Sequence, residues 1–261
     1  MVEILNMLLL AAVQGLTEFL PVSSSGHLVL FQHFMGVRQG DVFFDIILHV
    51  GTLGSILVVY RSEVLRLLKF DRAAVGYLTS LFVATLPAVV VGLLFRNQIE
   101  ALFHSPLFAA AGLVFTAGIL FSTRFAGQSN PLEEPWEPRP PSLGRALMVG
   151  TAQVFAILPG ISRSGSTIAA SLWVGLPRAE AARFSFLLSI PAVSGALVLQ
   201  LMDGNSVETA EMLRLVLAGI TSFAVGLVAI RWTALAVVQS HFWKFSIYCL
   251  VLGVAVLVFL S

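Results

Sequence analysis

Eight apolar runs fill most of this sequence, and two of them are overlong and broken in the middle by proline, glycine and serine. The runs cover residues 4–36, 42–60, 78–96, 107–123, 146–176, 184–202, 213–231 and 245–260. Six have the roughly 17–25 residues that a helix needs to cross a hydrocarbon core. The first is interrupted at Leu20-Pro21-Val22-Ser23-Ser24-Ser25-Gly26-His27, the fifth at Leu158-Pro159-Gly160-Ile161-Ser162-Arg163-Ser164-Gly165-Ser166-Thr167. Proline and glycine stop a helix. At membrane depth, non-helical backbone survives only inside protein or against a cavity. Each broken run therefore reads as a re-entrant helix–loop–helix.

A soluble, all-helical core is the alternative, and composition argues against it. Charged residues make up 11% of the chain and hydrophobic residues 57%, whereas soluble domains carry roughly 25% charged residues. The net charge of +1 offers no basic surface, so no nucleic-acid partner is expected. Cys249 is the single cysteine, which excludes a disulfide framework. Met1 to Asn6 contains no basic residue, so a cleavable signal peptide is not expected and the chain should be retained whole. The expected fold class is an all-α polytopic membrane protein.

The chain also repeats itself. A shift of 139 residues places Gln14 on Gln153, Ser23 on Ser162, Ser25 on Ser164 and Gly26 on Gly165. A shift of 134 places Val91-Gly92-Leu93 on Val225-Gly226-Leu227. Between the halves, residues 126–143 hold five prolines and three acids, a composition that does not build a packed element. The expected organisation is a first repeat over 1–125, a Pro-rich cytoplasmic linker over 126–143 and a second repeat over 144–261. Each repeat would hold one broken re-entrant element and three transmembrane helices, an odd number, so the second would be inverted. If both broken runs re-enter, one side collects the basic residues of loops 61–72, 124–145, 178–183 and 231–244, eleven against three with Arg163 of the fifth break left out. The positive-inside rule then puts those loops in the cytoplasm and both termini outside. Inverted repeats place their sites where the broken helices meet, near the midplane.

Chemistry concentrates at the two breaks. Gln14 and Glu18 are four apart and share a helix face. An acid inside a membrane segment is a functional candidate, although Glu18 could instead brace a neighbouring helix. His27 beside Glu18 and Ser24 offers a base near a hydroxyl, the arrangement that activates a nucleophile. At the second break a helix starts with exposed amides and hydroxyls, which bind anions, and Arg163 adds a planar fork suited to phosphate. The plainer alternative is a capped helix with Arg163 paired to Glu18. Asp45 and His49, also four apart, are either a supporting pair behind the site or purely structural. His33, His104 and His241 fall at run ends and read as interfacial.

The stretch from Gln14 to His27 resembles the (E/Q)xxxE-containing motif of the undecaprenyl-pyrophosphate phosphatase (bacitracin-resistance) family, and Leu158 to Thr167 resembles its PGxSRSxxT motif. Both are long, in the right order, and the eight-run organisation is similar over essentially the whole chain. The resemblance implies an integral membrane phosphatase of the bacterial plasma (inner) membrane. It would hydrolyse undecaprenyl pyrophosphate to undecaprenyl phosphate and inorganic phosphate, recycle the carrier lipid for cell-wall synthesis and confer bacitracin resistance. It implies a divalent cation, Mg²⁺ or Ca²⁺, on Glu18 and Gln14. Gln14 stands where many members have Glu and is the weaker ligand. It places Arg163 on the phosphates, with Ser162, Ser164, Thr167, Ser23 and Ser25 as further substrate contacts. Ser24 and His27 belong to the catalytic step with Glu18. Ser24, His27 or water could attack, and Ser24 with His27 as its base or acid is the preferred assignment. The partners expected are the polyprenyl pyrophosphate lipid and the membrane, with a homodimer as an option. The site should open to the periplasm or exterior. The rival on architecture alone is a lipid-phosphate flippase or secondary transporter, since broken helices in inverted repeats also build transporters.

Overall fold

In a computed structural model, which describes residues 2–35, 42–126, 136–202 and 212–260, the described residues form twelve α-helices and no strand. In chain order they are α1 (Val2–Thr17), α2 (Ser24–Met35), α3 (Val42–Val59), α4 (Arg61–Leu67), α5 (Arg72–Leu94), α6 (Arg96–Leu102), α7 (Pro106–Ser122), α8 (Leu143–Phe155), α9 (Arg163–Trp173), α10 (Arg178–Met202), α11 (Met212–Val238) and α12 (Phe245–Leu260). Among the described residues, five helical stretches are long and apolar enough to cross a membrane, and α3 with α4 makes a sixth if the pair, bent by 79°, is one span. The protein is a multi-pass, all-helical membrane protein.

Both expected breaks are present. The first apolar run divides into α1 and α2, the fifth into α8 and α9, with the Pro-Gly-Ser stretches between them. Local chemistry fixes these boundaries. Ser162 caps α9 by accepting the amide of Gly165 at 3.0 Å. Ser23 does the same before α2 for the amide of Gly26 at 3.2 Å. Satisfying an orphan amide this way is typically worth about 1 kcal/mol. Ser105 caps α7, which opens on Pro106, and Asp71 caps α5 through the amide of Ala74 at 2.9 Å. That bond, followed by the Arg66 guanidinium, holds the Asp71 carboxyl below the usual carboxylate range.

Helix lengths differ from the expected runs where polar residues are absorbed into helices. The loop expected at 178–183 is the start of α10, and Arg178 and Arg183 are buried there rather than displayed. Arg183 donates to Glu180 at 3.0 Å and to Glu63 at 3.3 Å, and its guanidinium lies over the Trp136 ring. Tyr77 donates to the same Glu180 at 2.6 Å. A buried cation is tolerated when paired this closely. Arg231 likewise sits within α11, not in the loop expected at 231–244. Of the linker, residues 127–135 lie outside the described residues. Residues 136–142 have no regular structure and make contacts with the helices. Arg66 grips Glu137 at 2.6 Å, and Ser80 donates to the Pro141 carbonyl at 2.9 Å.

The packing uses small residues. Helix α1 lies against α11, where a methyl on Gly15 would strike the Ser222 carbonyl at 2.5 Å. Helix α8 lies against α5, with Gly150 pressed onto the backbone of Ala84. Helix α7 packs on α12 and also touches α2 and α9. It therefore stands behind both breaks, and the site forms in front of it.

Candidate functional site

The two breaks meet. A Cβ added to Gly26 would lie 2.8 Å from the Gly160 Cα, and Ser164 Oγ donates to the Leu20 carbonyl at 3.3 Å. Gly160 has φ +87° and sits against the backbone of Ala109 and Gly112 on α7. Only glycine takes that conformation and approach without strain. Thr116, also on α7, donates to the Gly160 carbonyl at 2.8 Å and accepts the Ser162 amide at 3.0 Å. The second break is thus pinned from behind. In the first, Ser23 holds a left-handed φ of +66°, an uncommon state for a residue with a side chain.

Glu18 is the centre of the cluster. Its carboxylate is buried, 8% exposed. Oε2 accepts from Ser24 Oγ at 2.6 Å and from Gln14 Nε2 at 3.1 Å. Oε1 accepts from Arg163 Nη2, which also forms an ion pair with it. Helices α1, α2 and α9 each supply part of this set. The pairing of Glu18 with Arg163, weighed as the plainer reading, is therefore present. Two buried polar atoms here have no hydrogen-bond partner: Gln14 Oε1, an acceptor, and Arg163 Nη1, a donor. Buried polar groups are nearly always satisfied, so an unfilled donor and an unfilled acceptor beside one carboxylate mark a place for a ligand bearing both kinds of group.

The other expected residues divide into two sets. Ser24, Ser25 and Arg163 are partly exposed. Ser23, Ser162, Ser164 and Thr167 are buried and already committed. Ser23 and Ser162 cap helices and face Ser25 and Ser164 at 3.2 and 3.3 Å. Thr167 donates to the Arg163 carbonyl at 2.8 Å and shares a hydroxyl contact with Ser185 at 2.5 Å. These four shape the loops. His27 does not contact the Ser24 hydroxyl here; its ring nitrogens meet the Ser23 carbonyl at 2.8 Å and the Tyr248 hydroxyl at 2.7 Å. Asp45 and His49 are joined through the Asp45 main-chain carbonyl, which meets His49 Nδ1 at 2.7 Å, and not side chain to side chain.

Tyr248 and Thr116 were not singled out by sequence reasoning. An aromatic near the start of the last run reads as interfacial, and one threonine in an apolar helix carries no signal. As for a metal, no group of three or more His, Cys, Asp or Glu side chains occurs among the described residues. The open Gln14 Oε1 beside the Glu18 carboxylate and the serine hydroxyls is an all-oxygen donor set, which suits a hard cation.

Comparison with known proteins gives one consistent answer. The family described as bacitracin resistance protein BacA matches residues 7–255. The chain is 42% identical to an undecaprenyl-diphosphatase of Desulfatibacillum aliphaticivorans, over 97% of this chain and 98% of that one. It is 43% identical to one of Rhodopirellula baltica, over 98% of both chains. A third, from Korarchaeum cryptofilum, is 39% identical over 98% of both.

Proposed function

The chain belongs to the bacitracin resistance protein BacA family, and from that premise we infer its activity: it is an integral membrane undecaprenyl-diphosphatase. It hydrolyses undecaprenyl pyrophosphate to the monophosphate and inorganic phosphate, returning carrier lipid to cell-wall synthesis, and its family ties it to bacitracin resistance. The transporter reading gains no support, since the relatives named above are all called diphosphatases.

The observation that carries the mechanism is the Glu18–Ser24 hydrogen bond at 2.6 Å, flanked by the unfilled Arg163 Nη1 and Gln14 Oε1. Ser24 is the nucleophile. Its Oγ forms a bond to the terminal phosphorus while the bridging P–O bond breaks and the polyprenyl monophosphate leaves with the electron pair. Glu18 takes the Ser24 proton, as an adjacent general base does for a hydroxyl. Water then cleaves the phosphoserine and releases inorganic phosphate. Arg163 presents Nη1 to the phosphate, and its fork supplies fixed donors where negative charge develops. Ser25 is a further, partly exposed hydroxyl beside Ser24, and His27 belongs to the proton traffic of the second step. Ser23, Ser162, Ser164 and Thr167 hold the loops that aim these groups. Gln14 and Glu18 would hold a divalent cation, Mg²⁺ or Ca²⁺, which when bound offsets the charge of the pyrophosphate oxygens.

The two halves, 1–125 and 144–261, are inverted repeats in this reading. Support comes from the matching caps of Ser23 and Ser162, and from α1 packing on α11 as α8 packs on α5. Both broken elements re-enter, the 126–143 linker is cytoplasmic, and the site opens to the periplasm or exterior of a bacterial plasma membrane. Basic residues still favour this orientation with Arg178, Arg183 and Arg231 set aside. The test is phosphate release by purified protein from undecaprenyl pyrophosphate, with and without EDTA. Release that chelator abolishes and Mg²⁺ or Ca²⁺ restores is expected. No release under any condition would overturn the activity, and full release in excess chelator would remove the cation.

A further inference from the structure

His27 is 3% exposed, and both its ring nitrogens are engaged. Nδ1 lies 2.8 Å from the Ser23 carbonyl oxygen. A carbonyl only accepts, so Nδ1 carries a proton, and in a neutral imidazole Nε2 is then the acceptor. The Tyr248 hydroxyl, 2.7 Å away, donates to it. The two rings are also stacked, with centroids 5.7 Å apart and planes 7° from parallel. The next residue, Cys249, reaches the same break, its Sγ 3.7 Å from the Pro21 carbonyl. Helix α12 thus touches the first break at two points, on either side of Val22 and Ser23. Tyr248 is itself 48% exposed, so it stands between the buried imidazole and the outside of the molecule.

We infer that Tyr248 is a positioning residue of the diphosphatase reaction and acts through His27. Its phenol fixes the imidazole as a neutral acceptor three residues along α2 from Ser24. With Ser23 and Tyr248 on the two nitrogens, a proton reaches or leaves Nε2 only past the Tyr248 hydroxyl. A packing role alone would not require the hydroxyl, since the ring makes the stack. The inference rests on the reading that His27 takes part in the catalytic step.

Tyr248→Phe keeps the ring and removes the hydroxyl. Its turnover of undecaprenyl pyrophosphate is to be measured in the wild-type and His27→Ala backgrounds, with His27→Asn replacing the latter if the alanine variant does not fold. In the wild-type background kcat should fall roughly 5- to 20-fold, the scale of one lost hydrogen bond, with KM within about twofold and the variant still folded. In the His27 background the second substitution should change nothing further, because coupled residues are not additive. Histidine ¹⁵N spectra should show the Nε2 resonance of His27 moving in Tyr248→Phe. Wild-type kcat in Tyr248→Phe beside an impaired His27 variant would overturn the role of Tyr248. Equal losses in both backgrounds, or an unmoved Nε2 resonance, would do the same. Wild-type turnover in the His27 variant would instead overturn the catalytic reading of His27.

Discussion

Glu18 and Arg163, 145 residues apart in sequence, form an ion pair at the meeting point of the two broken elements. Arg163 gives Nη2 to the carboxylate and keeps Nη1 without a partner. The carboxylate holds the guanidinium in place before any phosphate arrives, so the order of the site does not depend on substrate.

Arg163→Ala should therefore be nearly inactive. Losing a buried partner of a charged group costs about 2–5 kcal/mol, or roughly 30- to several-thousand-fold in kcat/KM. Arg163→Lys should also be poor, because a point charge cannot serve Glu18 and phosphate with separate nitrogens. Steady-state kinetics check both. A folded alanine variant with wild-type kcat/KM would reduce Arg163 to a brace.

Ser24→Ala should fall to background turnover while binding substrate. Rapid quenching of the wild-type protein with terminally labelled substrate should trap phosphate on Ser24. Should the label be absent and the alanine variant still turn over, water is the nucleophile.

Gly26→Ala tests the contact between the breaks. The added methyl lies 2.8 Å from the Gly160 Cα, and overpacking of this kind costs about 1–3 kcal/mol. A lowered melting temperature and lost activity are expected together. Unchanged values of both would mean that the tips tolerate separation.

Orientation is checked by thiol labelling of intact cells in a Cys249→Ser background. Ser206→Cys, outside the described residues, should react with an impermeant reagent from outside, and Ala73→Cys should not. Ser24→Cys should react from outside, and pyrophosphate should protect it. The reverse pattern would invert the protein in its membrane.

The breaks were legible in the sequence because proline, glycine and serine inside an apolar run have few other physical uses. Gln14, Glu18, Ser24 and Arg163 stood out for the same reason: polar atoms at membrane depth must be answered by something. Arg178 and Arg183 misled, because a basic residue next to an apolar run looks like a loop charge unless its acidic partners are known. Glu63, 120 residues from Arg183, is visible only once the chain is folded. Tyr248 escaped for a related reason. Its significance lies in the ring it faces, and nothing in the residues around it announces His27.

The Gly26–Gly160 contact bears on how the protein is made. A ribosome delivers Glu18 to the membrane long before it delivers Arg163, so the nascent first half carries a carboxylate whose cation has not been synthesised. Its tip also lacks the Gly160 backbone against which it will close. The proposed anion site is complete only once the second tip, which carries Arg163, has been made. A truncated chain ending in the linker would be left with an acid in the bilayer and nothing to hold it, a natural mark for quality-control proteolysis.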